Sequence, residues 1–180
     1  MSSTAPAGSE DRAPAGRRIV AWLIDWLCVL VLPLLLVPVG VAAGGMGLRL
    51  PAWGWNVVSF LILIVPVTVW AARRESGPLQ ATPGKRRMGL AVADARSGRP
   101  VGFGPALLRN ILKIAVPWEL GHTVAFAFVS QAGGEVPGPV VALTVVTYAV
   151  MFCWLGSLFL PSARTPYDLA GGTRVVRRTP

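Results

Sequence analysis

Three side chains capable of chemistry lie inside runs that are otherwise apolar: Asp25, Glu119 and His122. A charge at the centre of a bilayer costs roughly 2.5–3.5 kcal/mol on insertion scales, so such groups are rare there and mark ion pathways, proton relays or helix pairing. Counted from Ile19 and Ile114, where their apolar runs begin, they lie about 9, 8 and 12 Å deep at a rise of roughly 1.5 Å per residue. That common depth predicts one buried polar cluster that binds a small cation or relays protons, with Glu119 and His122 on one helix face at i, i+3. The alternative is structural: Asp25 pairs with an arginine to lock helix packing, and Glu119 and His122 line a wet crevice near the interface. Arg18 shares a face with Asp25 about 10.5 Å away. Because side chains tilt toward the helix N-terminus, Arg18 leans away, and a cation from a loop or the tail is an equally good partner.

The elements that must hold these residues are membrane helices. The first run, 19–39, is 21 residues or about 31 Å long, enough for a hydrocarbon core of about 30 Å. Runs 53–72 and 140–160 are similar. The fourth candidate, 114–130, is weakened by Glu119 and His122, and charge placement decides it. With four spans, sixteen of the 17 Lys and Arg fall on one side and only Arg49 on the other. The positive-inside rule then puts both termini in the cytoplasm. Charged residues make up 14% of the chain, against about 25% in soluble domains, which excludes an ordinary soluble fold. The net charge of +9 is shared among separate segments with no interleaved aromatics. It therefore argues for anionic lipid rather than nucleic acid as the partner. The first run is too long for the apolar part of a signal peptide, and it holds an Asp.

Residues 1–16, rich in Ala, Pro, Ser and Gly, read as a disordered cytoplasmic N-terminus. Residues 17–176 form the membrane domain and 177–180 a short tail. Gly40 and Gly44 form a small-xxx-small pair that suits either close helix approach or a flexible turn. In the long loop 73–105, Leu90–Asp94 reads as a strand, followed by a turn at Ser97-Gly98 and a second extended piece. From Pro105, apolar residues at 107, 108, 111, 112 and 115 alternate with Arg109, Asn110 and Lys113, which predicts an amphipathic helix at the interface. The fold class is an all-α membrane protein: four transmembrane helices, and a cytoplasmic loop carrying a short extended hairpin and an interfacial amphipathic helix.

Familiar catalytic patterns are missing. Thr82-Pro83-Gly84-Lys85 has the end of a phosphate loop, but Arg86 replaces the required hydroxyl residue, the upstream glycine is misplaced and no strand precedes it. There is no G-x-G-x-x-G and no G-x-S-x-G, and a lone histidine gives neither a triad nor a zinc pair. Cys28 and Cys153 sit in apolar runs with no metal-ligand spacing. The expectation is a non-enzyme without cofactor or metal.

Several of these residues fall into a pattern that resembles the RDD family of bacterial membrane proteins, named for one arginine and two aspartates. Arg18 to Asp25 resembles the opening of its first span. Thr82 to Leu90 resembles its T-x-G-K-x-x-x-G-L segment, Arg109-Asn110 the piece that follows, and Tyr167 to Val176 its closing segment, with Asp168 as the second aspartate. Pro83 departs from the usual aliphatic residue, and Pro166-Tyr167 from the common Leu-His. The resemblance implies the four-span architecture in a bacterial inner (plasma) membrane and a role in moving a small ion or ligand, of sodium/proton type in some members, centred here on Asp25. The rival expectation is a non-catalytic scaffold or partner-binding subunit. Four spans are few for a pathway in one chain, so transport implies a homo-oligomer or a membrane-protein partner. The expected polar cluster is Arg18, Asp25, Lys85, Arg109, Glu119, His122 and Asp168, with Asp168 in contact with a cation among Arg18, Lys85 and Arg109.

Overall fold

The structure, a computed structural model, describes residues 13–131 and 134–178. In chain order the elements are α1 (Ala15–Gly45), α2 (Ala52–Ser76), the short helix α3 (Pro83–Arg87), strand β1 (Leu90–Asp94), α4 (Phe103–Ser130), α5 (Gly138–Ser157), the short helix α6 (Pro166–Ala170) and strand β2 (Thr173–Arg177). Helices α1, α2, α4 and α5 are each long and apolar enough to cross a membrane. The chain is thus an all-α multi-pass membrane protein with one small strand ribbon. The N-terminal segment expected to be disordered lies outside the described residues through position 12; from Ala13, which is buried, the chain is packed.

The polarity of the surface is that of a protein dissolved in lipid. Leu27, Leu34, Leu35 and Phe152 are exposed, while Glu75, Arg109 and Asp168 are buried. Lipid tails are as apolar as leucine, so large apolar side chains lose nothing by facing outward. Charges must find partners inside. The sequence suggests a separate interfacial helix ahead of a span starting at Ile114; the structure joins the two into α4. The faces of that first stretch are turned accordingly. Arg109 and Asn110 are 1% and 0% exposed, and Leu108 and Ile111 45% and 38%.

Helices α2 and α4 each contain one wide π-helical turn, Phe60–Ile64 and Ile111–Ala115. Pro66 and Pro117 follow closely. A proline has no N–H to give, and its ring crowds the carbonyl four residues back. A π turn absorbs that mismatch without breaking the helix. A Cβ at Gly40 or Gly44 would meet nothing within 4 Å, so this pair lies open along α1 and brings no helix close.

Strands β1 and β2 pair antiparallel, Leu90 opposite Arg177 and Asp94 opposite Thr173. The extended piece after the Ser97-Gly98 turn returns only to a single bridge, Ala93 with Pro100, so the full-length partner of β1 comes from the tail. A two-stranded ribbon is marginal alone. Here Leu90 packs on Ala13, Ala21 and Val175, and Val92 on Ala72, Val101 and Ala106. Loop and tail are thereby fixed beneath the ends of α1, α2 and α4.

Candidate functional site

Asp25, on α1, accepts a hydrogen bond from the Thr82 hydroxyl at 2.5 Å and another from the Gly84 N–H at 2.8 Å. Thr82 is the N-cap of α3 and Pro83 its first residue. Pro83 has no N–H, so Gly84 offers the first free amide, at the helix end that favours an anion. The segment that looks like the end of a phosphate loop thus holds the chain's own carboxylate. Only glycine fits at 84: a Cβ there would overlap the Ala21 carbonyl and lie 2.9 Å from Asp25 Oδ1.

Lys85 continues from this point, donating to Glu75 at 2.6 Å and to Thr82 Oγ1 at 3.3 Å. Glu75, in the last turn of α2, is fully buried. Its two oxygens accept Arg109 Nη1 at 2.8 and 2.6 Å, and Asn110 Nδ2 donates at 2.7 Å. Arg109 sends its Nε to Asp168 at 2.9 Å and lies over the Tyr167 ring, 5.3 Å from its centre. Asp168 then accepts from Arg18 Nη2 at 2.6 Å, and from the N–H and hydroxyl of Thr165 in a capping box at the start of α6. Arg18 lies on α1, as does Asp25. Three carboxylates and three cations therefore form a closed ring that leaves α1 at Asp25, runs through α3, α2, α4 and α6, and returns at Arg18.

Burial alone raises the pKa of a carboxyl group. At Asp168 the Arg109 and Arg18 guanidiniums and the Thr165 hydroxyl outweigh burial and hold it well below the usual carboxylate range. At Lys85 burial dominates and pushes the ammonium down to about 8, against the pull of Glu75.

The ring contains Arg18, Asp25, Lys85, Arg109 and Asp168 from the sequence expectation. Asp25 differs in its partners, which are a hydroxyl and an amide rather than an arginine. Glu119 lies elsewhere. Because α4 begins at Phe103, Glu119 is sixteen residues along its helix, about 24 Å, where Asp25 is ten residues along α1 from Ala15, about 15 Å; the counts of about 8 and 9 Å from Ile114 and Ile19 made them level. There it accepts from Asn56 Nδ2 at 2.6 Å, near the opposite end of α2. The single cluster of Asp25, Glu119 and His122 is therefore not formed. Sequence reading missed Glu75, the hub of the ring, and the two threonines. A signal was present: Glu75 and Asp94 are the only acids between Arg73 and Arg109, and an isolated acid in the most cationic segment calls for a partner.

Beside the ring is a cavity of about 340 Å³, within the ~300–1,000 Å³ range of small-ligand sites. Its polar lining is Asp25, Thr82, Lys113 and His122, and four indoles, Trp22, Trp26, Trp70 and Trp118, make much of the wall. Trp26 stacks on Trp118 at 5.2 Å, and the His122 ring lies tilted against Trp118 at 4.9 Å. Lys113 and Ile64, both in π turns, line it as well. No group of three or more potential metal ligands occurs among the described residues.

No curated protein and no solved structure matches the chain. The family comparison does find a match, over residues 12–172. That stretch holds every member of the ring from Arg18 to Asp168, and on it the chain belongs to the RDD family.

Proposed function

We propose that the protein is a non-catalytic transport protein of a bacterial inner membrane, with both termini in the cytoplasm, that moves a small ion or ligand through the cavity beside Asp25. The cavity carries this reading. It is bordered by all four spans, reaches Asp25, Lys113 and His122, and has a π turn in each of two facing helices; such turns recur at functional sites. The ring apart from Asp25 positions rather than transports. Its other five charges are paired with one another, and they hold the loop and tail at one end of the cavity, while Asp25 has only neutral partners and lines the cavity. In the sequence, sixteen of the 17 cations fall in the segments on one side of the four spans, which supports the cytoplasmic orientation. Four spans offer little wall for a complete pathway, so the working unit is a homo-oligomer or a complex with another membrane protein.

The test is reconstitution in liposomes with an inward sodium gradient and a pH-sensitive dye inside. Wild type gives sodium-coupled proton flux, and Asp25→Asn loses it while remaining folded. A wild-type signal equal to that of empty liposomes overturns the sodium/proton form of the reading.

A second reading is a scaffold, favoured by the ring itself, which joins three spans to the loop and tail. Under it the wild type gives no flux, and Asp168→Asn releases a partner that otherwise co-purifies from native membranes.

A further inference from the structure

We infer that the cavity beside Asp25 binds an anionic amphiphile, one negatively charged head group on an apolar chain, with Lys113 pairing the head. The inference rests on the cavity being a ligand site and names the chemical class that fits it.

Arg18, Lys85 and Arg109 each hold a carboxylate in the ring. The Lys113 ammonium lines the cavity and makes no hydrogen bond or salt bridge with another described residue; Glu75 and Asp25 attract it only from beyond contact. Asp25 shares the cavity, but its two oxygens are turned to Thr82 and Gly84, and it forms no salt bridge with Lys113 among the described residues. An ammonium in largely apolar surroundings is costly without a counter-charge. The chain supplies none in contact, so a ligand's anion would.

Shape and polarity give the rest. From Lys113 the lining runs along α4 to His122, nine residues or about 13 Å. Along that length the wall is apolar: Val29, Val67, Ile114 and Met151, with the faces of Trp26 and Trp118. A sugar or nucleotide would meet few donors there. A head at Lys113 with a chain lying over the indoles satisfies both ends. Trp22, in the lining and 44% exposed, brings the cavity to the outer surface of the bundle, where a lipid-soluble ligand arrives.

The test uses full-length protein in vesicles of zwitterionic lipid and the quenching of its tryptophan fluorescence by brominated probes. Three are compared: a brominated fatty acid, its methyl ester, and a brominated anionic phospholipid. The ester reports contact with bulk lipid alone. The expected result is saturable quenching by the acid or the phospholipid beyond that of the ester, and which of them saturates identifies a carboxylate or a lipid phosphate as the head. Lys113→Met weakens that component at least tenfold. Gly121→Phe, which fills open space in the lining and keeps Lys113, abolishes it. Equal quenching by acid, phospholipid and ester overturns the inference, as does saturable binding that survives both substitutions. The assay reads binding without transport. Sodium-coupled flux without amphiphile binding would sink this inference alone, and amphiphile binding without flux would sink only the transport reading.

Discussion

Arg18 donates to Asp168 at 2.6 Å, with both side chains buried and 150 positions between them in sequence. This contact closes the ring, because it returns the tail to the helix that Asp25 already ties to the loop. The first helix is therefore held twice, at positions seven residues apart, once through each connecting segment.

Neutralising Asp168 should be among the most damaging single changes in the ring. Asp168→Asn leaves two buried guanidiniums facing one amide, and removing one member of a buried ion pair costs about 3–5 kcal/mol. Thermal unfolding in detergent should show a clear drop in midpoint, matched by Glu75→Gln. Glu135→Gln, at an exposed loop position, should leave the midpoint unchanged.

Acid should loosen the tail through the same residue. The Asp168 carboxyl titrates well below its unfolded value, which is about 3.9. Between the two values the unfolded state binds more protons, so stability rises with pH there. The contribution is fully present above about pH 4 and is lost as pH falls toward the folded value. Limited proteolysis of the tail should accelerate as pH drops through that window, and Asp168→Asn should weaken the dependence, leaving the share carried by Glu75 on the same arginine.

Gly84→Ala should separate α3 from α1. The new Cβ overlaps the Ala21 carbonyl, and forced overpacking typically costs about 1–3 kcal/mol. Gly40→Ala, where a Cβ meets open space, should be tolerated. Equal unfolding midpoints for the two variants would show that α3 does not sit against α1.

At position 25 the structure predicts a split between two substitutions. In Asp25→Asn, Oδ1 still accepts from Gly84, and the amide nitrogen donates to a reoriented Thr82 hydroxyl, so the fold should survive. Asp25→Leu leaves a buried amide and hydroxyl without that acceptor, at roughly 1–3 kcal/mol for each unsatisfied group. The check is monodisperse expression and melting of both variants beside wild type.

Orientation is testable with single cysteines after replacement of Cys28 and Cys153, which are free and exposed. Arg49→Cys and Glu135→Cys should react with an impermeant thiol reagent in intact cells. Ser97→Cys and Arg164→Cys should react only after permeabilisation. Labelling at 164 from outside would reverse the assignment of the charged end.

Much of this architecture is a property of the one-dimensional sequence. Span number follows from run length against bilayer thickness, and the placement of cations decided the weakest span. Arg18, Asp25, Lys85, Arg109 and Asp168 stood out because each is a charge or motif position next to apolar sequence. Which residue meets which was not legible. Glu75 lies ten residues from Lys85 and thirty-four from Arg109, and no periodicity links those separations. Depth along α4 was misjudged because the helix begins at Phe103, before the apolar run does, so Glu119 lies farther along it, against Asn56 rather than in the ring. The inward turn of Arg109 and Asn110 has the same origin. Polarity along a chain marks two faces of a helix, but only the neighbouring helices decide which face is inside, and here the buried acid of α2 draws the polar face in while lipid accepts the other.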